Sequence, residues 1–307
     1  MKPRVSVIIP AFRGYESVAA ALESWDAQTC RDMLELIVLC PAKPAGAVSP
    51  GHVVLETGDK HLHEARAAGV RAAASDFIML AEDHCLPDPD CMEWIIRRLE
   101  KGWDGVGPTL RPGDTGIVPH GAFLISYAQW MPPSSGPIGH LPGHNAVVRR
   151  SLVLDVGEEL PQLLVASMFL MARLRSRGAK FFLEDRARMR HFDTVEWSET
   201  RAIFHVVGQA CGAVRLGNST QVARFLYGLL TPLTAARHFS RGVIQHVRVG
   251  ARAGFSPLSL AASAWFAAAW ALGETVGAWR GLDRVKPILW ISEIKPVTRE
   301  RAGSRQR

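Results

Sequence analysis

The sequence predicts an α/β domain built on a mostly parallel sheet flanked by helices, followed by a helical, basic and apolar tail. Three observations carry this prediction. Short continuous apolar runs alternate with segments of helical periodicity through the first half of the 307 residues. The net charge of +7 is uneven: residues 1–197 hold 21 Lys+Arg against 24 Asp+Glu, net −3, and residues 198–307 hold 15 against 5, net +10. From about Trp197 the pattern changes to long apolar stretches punctuated by arginines. These shifts predict a domain over 1–196 and a tail over 197–307. The 48% hydrophobic content excludes a disordered chain and, with the ordinary alternation of the first half, argues against a polytopic membrane protein.

The elements follow in order. Val5–Ile9 is an unbroken apolar run, as expected of a strand buried on both faces of a parallel sheet. Tyr15, Val18, Leu22 and Trp25 recur at helical spacing. Glu35–Leu39 and Val53–Leu55 predict two more strands, Glu64–Ala74 an alanine-rich helix, and Phe77–Leu80 a fourth strand. Met92, Ile95, Ile96 and Leu99 mark the next helix. The Gly- and Pro-rich stretch from Gly105 to Pro142 predicts loop with short strands. Leu163–Arg177 reads as one helix closed by Arg173, Arg175 and Arg177, with Gly178 past its end. Lys180–Leu183 and Ala187–Arg190 are expected to be extended, ending at His191.

In the tail, Ala202–Val214 and Phe225–Ala236 are short apolar blocks, the second interrupted by Pro232. Ala253–Gly273 contains no charged residue, and Glu274 stops it. Its length just reaches the ~20 residues of a spanning helix, yet its Ala, Ser and Gly content makes insertion weak. Spanning the bilayer and lying in its surface are both open. Trp265, Trp270, Trp279 and Trp290 cluster here, flanked by Arg237, Arg241, Arg248, Arg252, Arg280 and Arg284. Aromatics and arginines around modest apolar blocks suit an anionic membrane surface. Nucleic acid is a poorer partner, because the arginines alternate with apolar blocks instead of forming a solvated stripe. Five scattered cysteines, with no metal-type spacing, and a first apolar run too short for a signal peptide predict reduced thiols inside a cell.

The most informative cluster is Glu82-Asp83-His84, directly after the fourth strand. Such residues lie at the carboxyl edge of a parallel sheet, where open α/β sheets bind ligands. Carboxylate oxygens with an imidazole suit a divalent cation, which neutralises charge on a leaving diphosphate.

Val5–Phe12, the helix ending Leu22–Thr29, Glu64–Val70, Ser75–Leu80 with the acidic cluster, and Cys85–Asp90 stand in an order that resembles glycosyltransferase family 2 over roughly residues 4–192. The resemblance implies a GT-A fold, a nucleotide-diphospho-sugar donor, a Mn2+ or Mg2+ ion, and an inverting hexosyl transfer. By position, Pro10, Ala11, Phe12 and Glu16 are expected beside the nucleotide base, and Arg66 near the ribose or diphosphate. Glu82 and His84 fall on the two ends of the family's Asp-x-Asp motif, Glu82 toward the ribose and His84 on the metal, with Asp83 between them sharing donor or ion. Gly143, His144 and Asn145 resemble the segment beside sugar and acceptor, and His191 matches a histidine that completes the metal site.

Two departures stand out. Leu39-Cys40-Pro41-Ala42 carries no carboxylate to hold the base. The family's general-base carboxylate is absent as well, since Val165-Ala166-Ser167-Met168 occupies its place. An inverting transfer needs a group to take the acceptor hydroxyl proton. Glu158 and Glu159, about two helical turns earlier, replace it only if their loop folds back. The expected function is a metal-dependent glycosyltransferase at the cytoplasmic membrane surface, peripheral or with at most one spanning helix. It would serve glycan or polysaccharide synthesis, and its basic tail suits a lipid-linked diphosphate acceptor or the anionic bilayer itself. The alternative is a catalytically silent sugar-nucleotide-binding or scaffold protein on the same fold.

Overall fold

The computed structural model describes residues 2–192, 195–250 and 253–294. These divide into two compact units, one of residues 2–111 with 132–191, the other of 112–131 with 192–294. Arg252 and the side chain of Trp290 lie outside what is described.

In the first unit, β1 (Val5–Pro10) is buried along its whole length, as its unbroken apolar run requires. It leads through a single 3-10 turn to α1 (Ala19–Asp26), then β2 (Leu34–Cys40) and β3 (His52–Glu56). Next come α2 (Leu62–Ala72), β4 (Phe77–Leu80), β5 (Cys85–Pro87), α3 (Cys91–Leu99) and β6 (Gly105–Pro112). The chain then enters the second unit as α4 (Ile117–Ser126) and returns as β7 (Gly136–Ile138) and β8 (Val147–Arg149). Helices α5 (Arg150–Leu154), α6 (Leu160–Val165) and α7 (Met168–Ser176) precede β9 (Phe181–His191).

The sheet order is β3-β2-β1-β4-β8-β6-β9-β5, with β7 paired to β9. Pairings β3–β2, β2–β1 and β1–β4 are parallel. Strand β8 runs antiparallel to β4 and β6, and β9 antiparallel to β5 and β7. The sheet is therefore mixed, which corrects the mostly parallel expectation. Helical crossovers through α1 and α2 accompany the parallel pairings of β1 with β2 and β4, whereas β8 returns against both β4 and β6.

Three local expectations also change. The Gly105–Pro142 stretch contains a helix, α4, whose His120, Phe123 and Leu124 are buried. Its Gly121 lies so close to a neighbouring helix that a Cβ there would sit 2.6 Å from Ala262 Cβ. Tertiary packing, not local propensity, makes this segment helical. The two extended segments before His191 are one strand, β9. The helix expected over Leu163–Arg177 is instead broken between α6 and α7, where Ala166 adopts φ −140° and ψ 88°.

The second unit adds α8 (Trp197–Leu216), α9 (Gln221–Leu229), α10 (Thr231–Gln245), α11 (Pro257–Arg280) and α12 (Leu282–Ile294) to α4. Helices α8 and α11 touch backbone to backbone: a Cβ at Gly212 would stand 1.9 Å from Glu274 O, and one at Gly277 1.9 Å from Gln209 O. Phe204 stacks on Phe266 with centroids 5.3 Å apart, and His238 stacks on Trp270 at 4.9 Å. Ala253–Gly273 contributes most of α11, whose Ala262, Ser263, Phe266, Ala267 and Trp270 are buried within this unit. Among the described residues, no helix is long and apolar enough to cross a membrane. All five cysteines are buried and free of disulfides.

Candidate active site

The parallel half of the sheet ends at a common carboxyl edge, and the candidate residues gather there. Strand β1 stops at Pro10, and Ala11 N donates to Leu39 O at 2.8 Å. Ala11 and Phe12 are buried, while Glu16 stands exposed in the 3-10 turn that follows. One strand over, Ala81 N donates to Ile8 O at 2.9 Å, which directs the chain past β4 into Glu82-Asp83-His84.

Strand pairing then completes a cluster that is distant in sequence. Because β5 begins just after His84 and runs antiparallel to β9, Cys85 is paired with His191. This register sets the His191 ring edge-on to His84, with centroids 4.9 Å apart. His191 Nε2 lies 3.4 Å from Glu82 Oε2, and the two side chains are 2% and 11% exposed. Potential ligand atoms of Glu82, His84 and His191 all fall within 4.8 Å of one another.

Asp83 takes a different position. Its Oδ1 lies 2.9 Å from His84 Nδ1, and its side chain is almost fully buried. A carboxylate on Nδ1 fixes that nitrogen as the N–H and leaves Nε2 with the lone pair, an outer-layer arrangement typical of metal-bound histidines. The donor set of one carboxylate and two imidazoles fits a divalent cation that accepts both oxygen and nitrogen.

Asn145 fastens Glu82 from the other side. Its Nδ2 donates to Glu82 Oε2 at 2.7 Å, and its Oδ1 accepts from Glu82 N at 3.0 Å. Asn145 is fully buried with φ +62°, a conformation that asparagine tolerates better than most residues, and its own N–H bonds Leu80 O at 2.8 Å. Burial alone would raise the Glu82 carboxyl, but His144, His191 and His84 around it outweigh that and hold it well below the ordinary carboxylate range. Burial, reinforced by the Arg66 guanidinium, pushes the His144 imidazole down to about 3, so that ring is neutral at neutral pH. Arg66 itself is buried on α2.

The break between α6 and α7 belongs to the same region. Ser167 Oγ lies 3.0 Å from His144 Nε2. Gly143 makes this approach feasible: a Cβ there would be 2.3 Å from Ser167 Oγ and 2.9 Å from Met168 N. Sequence reasoning missed Ser167, although it stands where the resemblance expects a general base. Glu158 is exposed in the 3-10 turn Gly157–Glu159, and Glu159 Oε2 pairs with Arg173 Nη2 at 2.8 Å, both side chains being substantially exposed. Neither belongs to the Glu82–His84–His191 cluster.

The model of glycosyl transferase family 2 matches residues 43–157. Among solved structures, Staphylococcus aureus TarS 1-349 superposes with a TM-score of 0.50 at 14% identity, covering 83% of this chain and 74% of TarS 1-349. A GalNAc-T7 structure with UDP, GalNAc and Mn2+ gives 0.48 at 14% identity, over 63% of this chain and 44% of its own. A longer TarS structure also gives 0.48 at 14%, over 77% and 44%. No curated protein sequence matches the chain. Residues 43–157 thus match the glycosyl transferase family 2 model, and the likeness to TarS 1-349 shows an α/β, GT-A-like fold.

Proposed function

We propose that the chain is a divalent-cation-dependent enzyme that transfers a hexosyl group, with inversion, from a nucleotide-diphospho-sugar to an acceptor at a membrane surface. The observation that carries this reading is the convergence of Glu82, His84 and His191 at the carboxyl edge of the parallel strands. Glu82, His84 and His191 would hold the ion, with Asp83 and Asn145 orienting His84 and Glu82. Two imidazoles beside one carboxylate favour Mn2+ over Mg2+, which prefers an oxygen shell with retained waters. Bound there, the cation would supply positive charge against a departing diphosphate.

The chain's own residues have separate tasks. Pro10, Ala11, Phe12 and Glu16 border the expected base-binding edge, and Arg66 offers a guanidinium suited to phosphate oxygens. Gly143, His144 and Asn145 form the loop expected beside sugar and acceptor. Glu158 and Glu159 are weak candidates for the base, because Glu159 is engaged with Arg173. A lipid-linked diphosphate at the cytoplasmic membrane face, in glycan or polysaccharide synthesis, is the acceptor that the basic tail suits.

The missing carboxylate at Val165–Met168 favours one second reading, a catalytically silent sugar-nucleotide-binding protein. Incubation of the full chain with a panel of nucleotide-diphospho-sugars and Mn2+ separates the two. Release of nucleoside diphosphate, abolished by chelation, supports the enzyme. Donor binding in calorimetry with no release over hours favours the silent protein.

A further inference from the structure

Helix α9 is oriented opposite to an ordinary surface helix. Its apolar residues recur at helical spacing, Val222, Phe225, Leu226 and Leu229, and all four face solvent at 68%, 56%, 53% and 62% exposure. Leu233, in the first turn of α10, continues the ridge at 65% exposure. The polar side of α9 is what faces the unit: Tyr227 OH donates to the buried Glu274 carboxylate, and Arg224 Nη2 donates to Gly217 O at 2.9 Å. Just beyond, Thr231 Oγ1 lies 2.6 Å from Thr275 Oγ1. A contiguous exposed apolar ridge of this kind marks an interaction surface.

Charge selects the occupant. Residues 200–273 contain seven arginines, no lysine and no acidic residue. Arg237 and Arg241 are exposed along α10, directly after the ridge. Symmetric pairing of this ridge with a second copy would set arginines against arginines without an intervening carboxylate. An apolar ridge rimmed by arginines matches the headgroup boundary of an anionic bilayer, where the side chains enter the acyl region and the guanidiniums meet phosphates. No spanning helix is needed for that attachment, and none is present among the described residues.

We propose that α9 and the start of α10 form an in-plane docking surface for an anionic lipid bilayer. This rests on the membrane-surface acceptor proposed above and names the surface that would reach it.

Flotation of the full chain with vesicles of phosphatidylcholine, with and without phosphatidylglycerol, tests it. The expected result is flotation with phosphatidylglycerol vesicles only, weakened by salt. The combined variant Phe225→Ser, Leu229→Ser, Leu233→Ser should lower the partition coefficient about tenfold or more, because three apolar side chains no longer enter the bilayer. Circular dichroism should be unchanged, since all three side chains are exposed. As a second readout, Phe225→Cys introduces a solvent-facing thiol beside five buried cysteines. An environment-sensitive label there should shift to the blue on adding phosphatidylglycerol vesicles.

Unchanged flotation of the triple variant, with no shift of the label, would overturn this surface while leaving membrane attachment intact. No flotation of the unsubstituted chain would overturn both this surface and the membrane-surface acceptor, without touching the glycosyl transfer itself. Equal binding to pure phosphatidylcholine would overturn the anionic assignment. A dimer in light scattering that the triple variant dissociates, without flotation, would assign the ridge to a second copy.

Discussion

Asn145 grips Glu82 at both ends: its Nδ2 donates to the Glu82 carboxylate at 2.7 Å and its Oδ1 accepts from the Glu82 backbone N–H at 3.0 Å. Sixty-three residues separate the two in sequence, and the double contact fixes the carboxylate that the histidines surround. Asn145→Gly keeps the positive φ but removes both bonds, whereas Asn145→Ala also strains the backbone. We expect Asn145→Gly to cost about 1–3 kcal/mol, the range for leaving a buried polar partner unsatisfied, and Asn145→Ala to cost more. Both should weaken Mn2+ binding in calorimetry. Chemical denaturation measures the stability part, and equal stability of the two variants would remove the backbone part of the argument.

Gly143 predicts a second outcome. A methyl group at this position meets Ser167 Oγ at 2.3 Å and the backbone N of Met168 at 2.9 Å. The backbone contact cannot be relieved by a rotamer change, so Gly143→Ala should destabilise by about 1–3 kcal/mol, as overpacking does. Adding Ser167→Gly removes only the hydroxyl clash and should restore part of the loss. Midpoints in urea for the single and double variants check this.

In the helical unit, Glu274 supplies a pH-dependent contribution. Its side chain is fully buried and meets Arg215 Nη1 at 2.6 Å, Tyr227 OH, and His238 Nε2 at 3.5 Å. Burial would raise this carboxyl, but the bonds from His238 and Tyr227 and the Arg215 charge lower it overall. A carboxyl lowered on folding stabilises above its unfolded value and loses that contribution as pH falls through its folded value. Glu274→Gln should therefore lower the Tm at neutral pH, by less than the ~3–5 kcal/mol of a fully buried pair because the Arg215 side chain is 36% exposed. The gap to the unsubstituted chain should narrow as the solution is acidified below the ordinary carboxylate range. A gap independent of pH would show that packing alone explains the loss.

How far the sequence discloses this arrangement depends on the distance over which each feature is determined. The buried strands β1, β2 and β4 are legible because unbroken apolar runs have a local cause, burial on both faces. The position of Glu82 and His84 at the sheet edge follows from the same runs. His191 is legible only through resemblance, since the β5–β9 register that brings it to His84 is a long-range pairing. Helix α4 and the break at Ala166–Ser167 are not legible at all. The first depends on contact with Ala262, and the second on Gly143 admitting Ser167 beside His144. Asn145 is flagged by its loop, but its attachment to Glu82 emerges only when the two segments meet.

The central claim is that Glu82, His84 and His191 form one cation site. Isothermal calorimetry with Mn2+ on the full chain, and on Glu82→Gln, His84→Ala and His191→Ala separately, tests it most directly. The account predicts one Mn2+ per chain for the unsubstituted protein and a loss of at least about tenfold in affinity for each variant, as removal of a ligand entails. Far-ultraviolet circular dichroism should remain unchanged. Mn2+ affinity equal to that of the unsubstituted chain in all three folded variants would contradict the account.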